Sequence, residues 1–510
     1  MTSAFSILDW FIVSGYLLIL FVIGWSFSKK SRNIEDYFLG SHNMAPFVVA
    51  ISVIATTQSA ATFLGGPDQG YRGNFTYLAA NISALIGALF VARVLIPKYY
   101  EQNATTVYDI LNDRYGELAM RAAGLMYIVG RFFASGARLF LAAIAISMIL
   151  FSNIDAPNII LSSLILVALG FSVTFLGGIR SVIWTDLLQF VMYVFSAIAV
   201  LYFLLGEIPL SRFDIIDTLA QENKLTLFDA SLDFSAPYAL ISIFSGMILL
   251  YIASLGLDQD ITQRLLTCKK SSEGGNALIL STIAGIPIIA LFMAIGSLLY
   301  IFYDHPELVN GIDVASQSFN GERVTIFMFY ILNELPAGLK GLVTVGVIAA
   351  AVSTINSGLN SMSSVLIQDF YRPLFDKENK KTEKHFVRAG QIGMALVGIV
   401  LFAMSIICYY WQRYSELPLI DFALSLMVFA YSGLLGVYFT VLFTNRGSNN
   451  SVIAALITGF MVTLFQQKYF VSLFDFPEFM QHIAFSWQLL IGTTVSFLVC
   501  CAGNSKSISR

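Results

Sequence analysis

The chain has 510 residues, of which 57% are hydrophobic, 14% aromatic and only 12% charged, with a net charge of −3. Soluble domains carry about 25% charged residues, so this composition excludes a water-soluble enzyme, a disordered scaffold and a disulfide-built secreted module. The charge balance also offers no basic stripe for nucleic acid. What remains is a polytopic membrane protein.

The first apolar stretch, 5–27, lacks a basic leading segment and a small-residue cleavage site, so it reads as a retained span rather than a signal peptide. A hydrocarbon core of about 30 Å asks for about 20 apolar residues per helix. Cutting the sequence at charges, Pro and Gly predicts thirteen spans: 5–27, 44–66, 76–97, 119–150, 158–176, 181–205, 237–257, 274–303, 325–362, 386–409, 417–443, 451–467 and 484–502. The stretch 325–362 is longer than one crossing needs, and its turns before Pro336 are expected to form a separate surface helix. No appended soluble domain is expected after Ala502.

Placing the N-terminus outside puts nineteen of the 29 basic residues in the inner loops and seven in the outer ones, with Arg93, Arg131 and Arg138 left inside spans. Basic loops stay on the cytoplasmic side. The expectation is therefore a multi-pass cell-membrane protein, N-terminus outside and C-terminus cytoplasmic, with loops 206–236 and 304–324 facing outward. The four cysteines (268, 408, 500 and 501) show no CxxC spacing, which argues against a disulfide framework or a metal site.

Four segments are not merely apolar. In the first, Ala55-Thr56-Thr57-Gln58-Ser59-Ala60-Ala61-Thr62, polar residues crowd mid-span ahead of Gly65-Gly66-Pro67. Backbone at this depth opens only where it is buried in protein or lines a cavity. The segment reads as a broken helix whose carbonyls take a cation and whose side chains face a solute; the alternative is a Ser/Thr packing seam. In the second, Ser353 and Ser357 stand four residues apart, with Asn360 and Ser361 continuing the stripe, which suits either oxygen ligation of a hard cation or close helix packing. In the third, Asp186 lies in a span six residues after Arg180, as a functional carboxylate or half of a structural pair. The fourth, Asp258-Gln259-Asp260-Ile261-Thr262-Gln263-Arg264, is expected at a cytoplasmic helix end as a structural or gating network. Arg131 and Arg138, seven residues apart on roughly one face, offer two roles: pairing with Asp186 or receiving a substrate carboxylate. Asp421, near the outer end of its helix, is expected to be solvated.

These segments resemble the sodium/solute symporter family, which includes sodium-coupled carriers of glucose, proline, pantothenate, iodide and sialic acid. The match is carried by Gly177-Gly178…Trp184-Thr185-Asp186…Gln189, Asp258-Gln259-Asp260…Gln263-Arg264, Ala350…Ser353-Thr354…Asn360-Ser361 and Asp369-Phe370-Tyr371, in that order, with a polar stop at 445–450. It covers about residues 8 to 460. The resemblance implies an all-α polytopic membrane protein of about thirteen transmembrane helices with a leucine-transporter-type core of two five-helix inverted repeats. Repeat one would be 44–205 and repeat two 237–443, joined by the outer loop 206–236. An extra helix and loop at 1–43 precede them, and two helices and a short tail at 444–510 follow.

The same resemblance implies a sodium site from the carbonyls of Ala55, Gln58 and Ala350 and the hydroxyls of Ser353 and Thr354. A second sodium would use Asp186 with Asn356 and Ser357, where Asn356 replaces a commoner serine. Substrate would touch Thr57, Ser59, Thr62, Tyr77 and Asn81, with Arg131 or Arg138. The Ser59…Thr62 pair resembles the sialic-acid branch and Gly136-Ala137-Arg138-Leu139-Phe140 the proline branch; both carry carboxylates. The expected function is thus sodium-coupled symport of a small, carboxylate-bearing organic solute by alternating access, with Na⁺ as coupling ion and no other cofactor. A transporter-like sensor or channel without coupled flux is the alternative. A membrane enzyme is disfavoured because none of His42, His305, His385 and His482 lies mid-span.

Overall fold

A computed structural model of the chain describes residues 5–27, 33–175, 177–305, 318–319, 322–323, 325–376, 381–415, 417–474 and 476–504. Of the basic residues that orient the chain, Lys29, Lys30, Arg32, Lys377, Lys380, Lys506 and Arg510 lie outside the described residues. Each of the thirteen predicted stretches coincides with a helix or a helix pair. In chain order these are α1 (Ile7–Phe27), α2 (Pro46–Thr57), α3 (Ala60–Arg72), α4 (Thr76–Glu101), α5 (Glu117–Phe151), α6 (Ala156–Thr174) and α7 (Gly178–Glu207). There follow α8 (Leu240–Gly256), α9 (Gln259–Leu265), α10 (Ser271–Asp304), α11 (Ile326–Asn333), α12 (Leu339–Val365), α13 (Glu383–Ser415), α14 (Leu419–Phe443), α15 (Asn449–Phe465) and α16 (Phe485–Cys501). Among the described residues nine helices are long and apolar enough to cross a membrane, and up to eleven when bent pairs count as single spans. Helices α15 and α16 add two apolar helices of 17 residues each. Ahead of Pro336, α11 is separate from α12, but it is not the expected surface helix: Ile326, Phe327, Met328, Tyr330, Ile331 and Leu332 are buried. A two-residue antiparallel ladder joins 318–319 to 322–323.

Burial sorts the helices. The apolar window of the α12 span is 94% buried, whereas that of α1 is 28% buried. Large apolar side chains of α1 (Phe11, Phe21 and Trp25) are exposed instead. In lipid, helices associate through small residues and close backbone approach rather than through apolar burial. Helix α12 follows that rule with Gly346, Ala349, Ala350, Ala351, Ser353, Ser357 and Gly358 along its buried length.

Two helices break in mid-course, and the chemistry of each break is local. At the end of α2, the hydroxyls of Thr56 and Thr57 donate back to the carbonyls of Ser52 (2.8 Å) and Ile54 (3.0 Å). Such back-bonding competes with the backbone ladder and weakens a helix. Gln58 and Ser59 are then extended, at φ −83°, ψ 107° and φ −111°, ψ 174°, before α3 resumes. The second break falls at Leu257–Asp258 and bends α9 by 56° from α8. Asp258 caps α9 by accepting from the Asp260 amide at 3.0 Å. Here the structure corrects the sequence reading: 258–264 is not a terminal helix end but the second half of a broken helix.

The α3 and α10 backbones meet at two glycines. A Cβ on Gly70 would lie 2.2 Å from the Met293 carbonyl oxygen, and one on Gly296 would lie 2.0 Å from that of Pro67. Backbone cannot swing aside as a side chain can, so the helices would have to part. In a lone helix Gly→Ala is favourable by about 1 kcal/mol. At Gly296 the overpacking cost of about 1–3 kcal/mol should outweigh it. Gly296→Ala is therefore expected to lower the melting temperature in detergent. Gly15→Ala, where a Cβ meets nothing within 4 Å, should leave it unchanged or raise it; equal behaviour of the two variants would refute the packing argument.

Candidate functional site

The break after Thr57 leaves α2 carbonyls without helical partners, and α12 crosses beside them. Ser353 Oγ lies 3.2 Å from the Ala55 carbonyl oxygen and 2.7 Å from Asp186 Oδ1. Thr354 Oγ1 donates to Ala350 O at 3.1 Å. Ala55, Gln58, Ala350 and Ser353 line one small cleft of about 160 Å³ of free space, its opening included, with Ala349, Gln189, Phe190 and Tyr193. Four of the five expected sodium ligands are thus in one place. The fifth, Thr354, adjoins it through Ala350 with its hydroxyl turned along its own helix.

Behind this cavity runs a chain of buried ion pairs. Asp186 Oδ2 accepts from Ser52 Oγ (2.5 Å) and from Arg264 Nη2 (3.1 Å). The Arg264 guanidinium also donates to Ser52 Oγ (2.9 Å), Asp260 Oδ1 (3.0 Å) and Ser357 Oγ (2.5 Å). Asp260 in turn pairs with Arg131, whose other nitrogen reaches Asp258 Oδ2 at 2.9 Å. Tyr431 donates to the same Asp258 oxygen at 2.6 Å. Every charged member is at most 4% exposed. Arg180, the other basic residue of that motif, pairs instead with Asp36 at 2.9 Å.

The partner of Asp186 is therefore Arg264, and neither Arg131 nor Arg138. Asn356 does not join Asp186 either. In the amide orientation that satisfies its surroundings, its nitrogen donates to Gly170 O (2.8 Å), Thr174 Oγ1 (3.1 Å) and Val352 O (3.2 Å), against α6. Of the three residues expected to hold a second ion, Asp186 and Ser357 are bridged by a guanidinium and Asn356 faces another helix.

A larger cavity of about 1100 Å³ of free space, its opening included, lies between the two helix breaks. All seven expected substrate residues (Thr57, Ser59, Thr62, Tyr77, Asn81, Arg131 and Arg138) line it. The second broken helix contributes Leu250, Tyr251, Ser254, Asp258 and Asp260, and α10 contributes Ser281 and Thr282. Sequence reasoning gave Asp258 and Asp260 a structural or gating role and missed the others; the signal available was the repeat itself, since a break in the first helix of one half implies one in the other. Tyr251 donates to Asn81 Oδ1 at 3.2 Å, and Asn81 donates to Tyr77 O at 2.8 Å. The two arginines differ sharply. Arg131 is consumed by two carboxylates, while Arg138 meets only the Met427 sulfur at 3.6 Å among the described contacts. Asp421 is not free in solvent as expected: its carboxylate accepts from Tyr238, and from Gln69 at 3.3 Å, across the rim of the cavity. No group of three or more His, Cys, Asp or Glu residues among the described ones could hold a metal.

Comparison with known proteins agrees with this geometry. The model of the "sodium:solute symporter family" matches residues 37–459. The sodium/sialic acid symporter NanT of Aliivibrio fischeri is 26% identical over 91% of this chain and 88% of its own length. The sodium/sialic acid symporter SiaT of Proteus mirabilis is 27% identical over 90% and 89%. The human sodium/iodide cotransporter is 25% identical over 67% of this chain and 52% of its own. Among solved structures, a Na⁺-coupled sialic acid symporter in a substrate-bound outward-open state superposes with a TM-score of 0.82, covering 99% of this chain and 100% of that one at 21% identity. The fold is therefore that of the leucine-transporter type, and the chain belongs to the sodium:solute symporter family of Na⁺-coupled secondary transporters.

Proposed function

We propose that this symporter imports a small polar solute bearing one carboxylate together with one Na⁺, and that Arg138 receives the carboxylate. The single observation behind this reading is the contrast between the two cavity arginines: Arg131 already holds Asp258 and Asp260, whereas Arg138 has no carboxylate partner among the described residues. An unpaired guanidinium at membrane depth is costly, and a carboxylate is the ligand that its forked donors fit. Ser59, Thr62, Asn81, Tyr251, Ser254 and Thr282 add hydroxyls and amides around it, a lining suited to a hydroxylated acid. Sialic acid, carried by the two relatives named above, belongs to that class and is the first probe to try.

The sodium would bind where the α2 carbonyls of Ala55 and Gln58 face Ala350, Ser353 and Thr354, joining the broken helix to α12. Binding there holds the unwound segment in the shape that presents Ser59 and Thr62 to the solute. One ion suffices because Arg264 already neutralises Asp186. Residues 44–205 and 237–443 would act as the inverted repeats that rock against each other, with 1–43, 206–236 and 444–510 outside that core. The orientation, with the N-terminus outside, follows from the inner excess of basic residues.

The test is uptake in proteoliposomes. Sialic acid uptake should require an inward Na⁺ gradient, and a K⁺ or pH gradient alone should not replace it. Arg138→Gln removes a charged hydrogen bond of about 1.5–3 kcal/mol, so KM should rise roughly ten- to hundredfold; an unchanged KM would remove Arg138 from the site. One Na⁺ with one carboxylate moves no net charge, so uptake should not respond to an imposed membrane potential. Acceleration by an inside-negative potential would show that a second ion travels.

The ion pair has its own test. Arg264→Gln strands Asp186 without a counter-charge, a loss of about 3–5 kcal/mol for a broken buried pair. Adding Asp186→Asn should recover part of the thermal stability lost in detergent. A double variant no more stable than Arg264→Gln alone would show that the two groups are not coupled.

A further inference from the structure

From Lys340 to Val365 every residue of α12 except Leu342 is buried, so this helix is shut off from its surroundings along most of its course. Its helical path runs on to Phe375, and there it surfaces: Leu374 is 47% and Phe375 62% exposed. Cations stand around these two apolar side chains. The Arg372 guanidinium lies 5.3 Å from the centre of the Phe386 ring, and Lys381 Nζ lies 5.0 Å from that of Tyr371 and 5.7 Å from that of Phe375. Lys384 and Arg388 are exposed, four residues apart at the start of α13, where Tyr371 Oη meets His385 Nε2 at 2.9 Å. None of the four cations makes a salt bridge among the described residues. The neighbouring carboxylates are engaged elsewhere: Asp369 accepts from Thr106 Oγ1 (2.9 Å), the buried Asp376 from the Lys381 amide (3.0 Å) and Glu383 from the Ile34 amide (3.1 Å).

An excess of basic residues at one end of the spans orients the chain, but that rule asks nothing of their neighbours. Here the neighbours are built to keep the charges in place and uncompensated. An aromatic face attracts a cation without neutralising it, so Arg372 and Lys381 are positioned with their full charge, and a guanidinium fork fits two phosphate oxygens. Water would solvate the cations but not Leu374 and Phe375. A phospholipid meets both needs, because the end of a span lies where acyl chains give way to headgroups, and Lys/Arg clusters at that level attract anionic lipid.

We propose that the tip of α12 and the first turns of α13 form a docking surface for an anionic phospholipid. Leu374 and Phe375 pack against its acyl chains, and Arg372, Lys381, Lys384 and Arg388 surround its phosphate. Under the orientation proposed above the lipid belongs to the cytoplasmic leaflet; the surface itself depends neither on that orientation nor on the solute and sodium sites. A lipid held there bears on the helix that carries Ser353 and Thr354 and that grips Thr106 through Asp369.

The experiment uses the purified full chain in a non-ionic detergent and reads its melting temperature during titration with phosphatidylglycerol, phosphatidylcholine or glycerol phosphate. A ligand that binds only the native state raises apparent stability with its concentration. Phosphatidylglycerol should raise the melting temperature, and the other two should not. Lys384→Gln/Arg388→Gln removes two of the four charges and should raise the half-maximal phosphatidylglycerol concentration about tenfold or more. Lys269→Gln/Lys270→Gln, an exposed pair just ahead of α10, should leave it unchanged. Phe375→Ser keeps all four charges and should raise it too, which also serves if the first double variant does not fold. Equal stabilisation by phosphatidylcholine would overturn the proposal, and so would equal stabilisation by glycerol phosphate, which would show a free-phosphate site instead. An unchanged midpoint in Lys384→Gln/Arg388→Gln or in Phe375→Ser would overturn it as well, as would an equal rise in Lys269→Gln/Lys270→Gln, which would show an unspecific response to basic charge.

Discussion

A guanidinium and a carboxylate in a membrane interior hold each other there, and the core of this transporter is arranged around one such pair. Arg264 and Asp186 join α9 to α7, and the remaining donors of Arg264 reach Ser52 on α2 and Ser357 on α12. Continuing through Asp260 and Asp258, the network takes in Arg131 on α5. Five elements, including halves of both broken helices, thus meet at charges that cannot be separated without exposing one of them to a low dielectric. Opening the helices at mid-membrane frees backbone groups that need partners. The same network supplies a fixed frame on either side of those openings.

The frame also sets the charge accounts of transport. Asp186, Asp258 and Asp260 carry three negative charges, and Arg131, Arg138 and Arg264 carry three positive ones. The formal charges of these six groups sum to zero, and under the proposed stoichiometry of one sodium with one carboxylate the sum stays zero when both enter together. Either cargo alone leaves an uncompensated unit charge in the membrane. That is a physical reason for coupling that needs no contact between ion and solute. Ser353 adds a geometric one. Its single proton is closer to the charged Asp186 oxygen (2.7 Å) than to the Ala55 carbonyl (3.2 Å), and hydrogen bonds to ionised acceptors are the stronger ones. The hydroxyl is thereby oriented to offer lone pairs toward the α2 carbonyls, where the proposed cation would bind.

Much of this was legible beforehand because a membrane imposes long apolar helices, and thirteen such stretches stand out in the sequence. The first break was legible too: Thr56 to Ser59 are polar where lipid-facing residues cannot be. The second was not, because between Leu250 and Leu257 only Tyr251 and Ser254 carry polar groups and the polar run begins at Asp258, which resembles an ordinary helix end. Pairing was the other blind spot. Asp186 and Arg264 are 78 residues apart, and no spacing rule connects them, whereas Arg131 and Arg138 sit on one face and invite equal treatment. Asn356 misled for a similar reason, since its neighbours Ser353 and Ser357 point to the ion pair while it points to α6. Asp421 looked solvated from its place near a helix end, yet Tyr238 and Gln69 reach it across the cavity rim.

The contacts beyond the two ends of the larger cavity are unlike in kind, and this bears on how the helices move. At the end carrying the long loops, Tyr77 packs edge-on against Tyr238 at 5.1 Å, and Tyr238 and Gln69 hold Asp421. These are side-chain contacts, which a rotamer change releases. At the opposite end the connection before residue 109 is fastened through backbone. Gln259 accepts from the Val107 amide and donates to the Thr105 carbonyl, Tyr438 donates to Val107 O, and Tyr108 donates to Leu257 O. Thr106 adds bonds to Asp369. Releasing that end means moving α9, to which Gln259 belongs, and α9 also carries Arg264. Opening there is thus tied through one short helix to the ion pair behind the proposed sodium site, whereas the contacts at the other end do not include that pair.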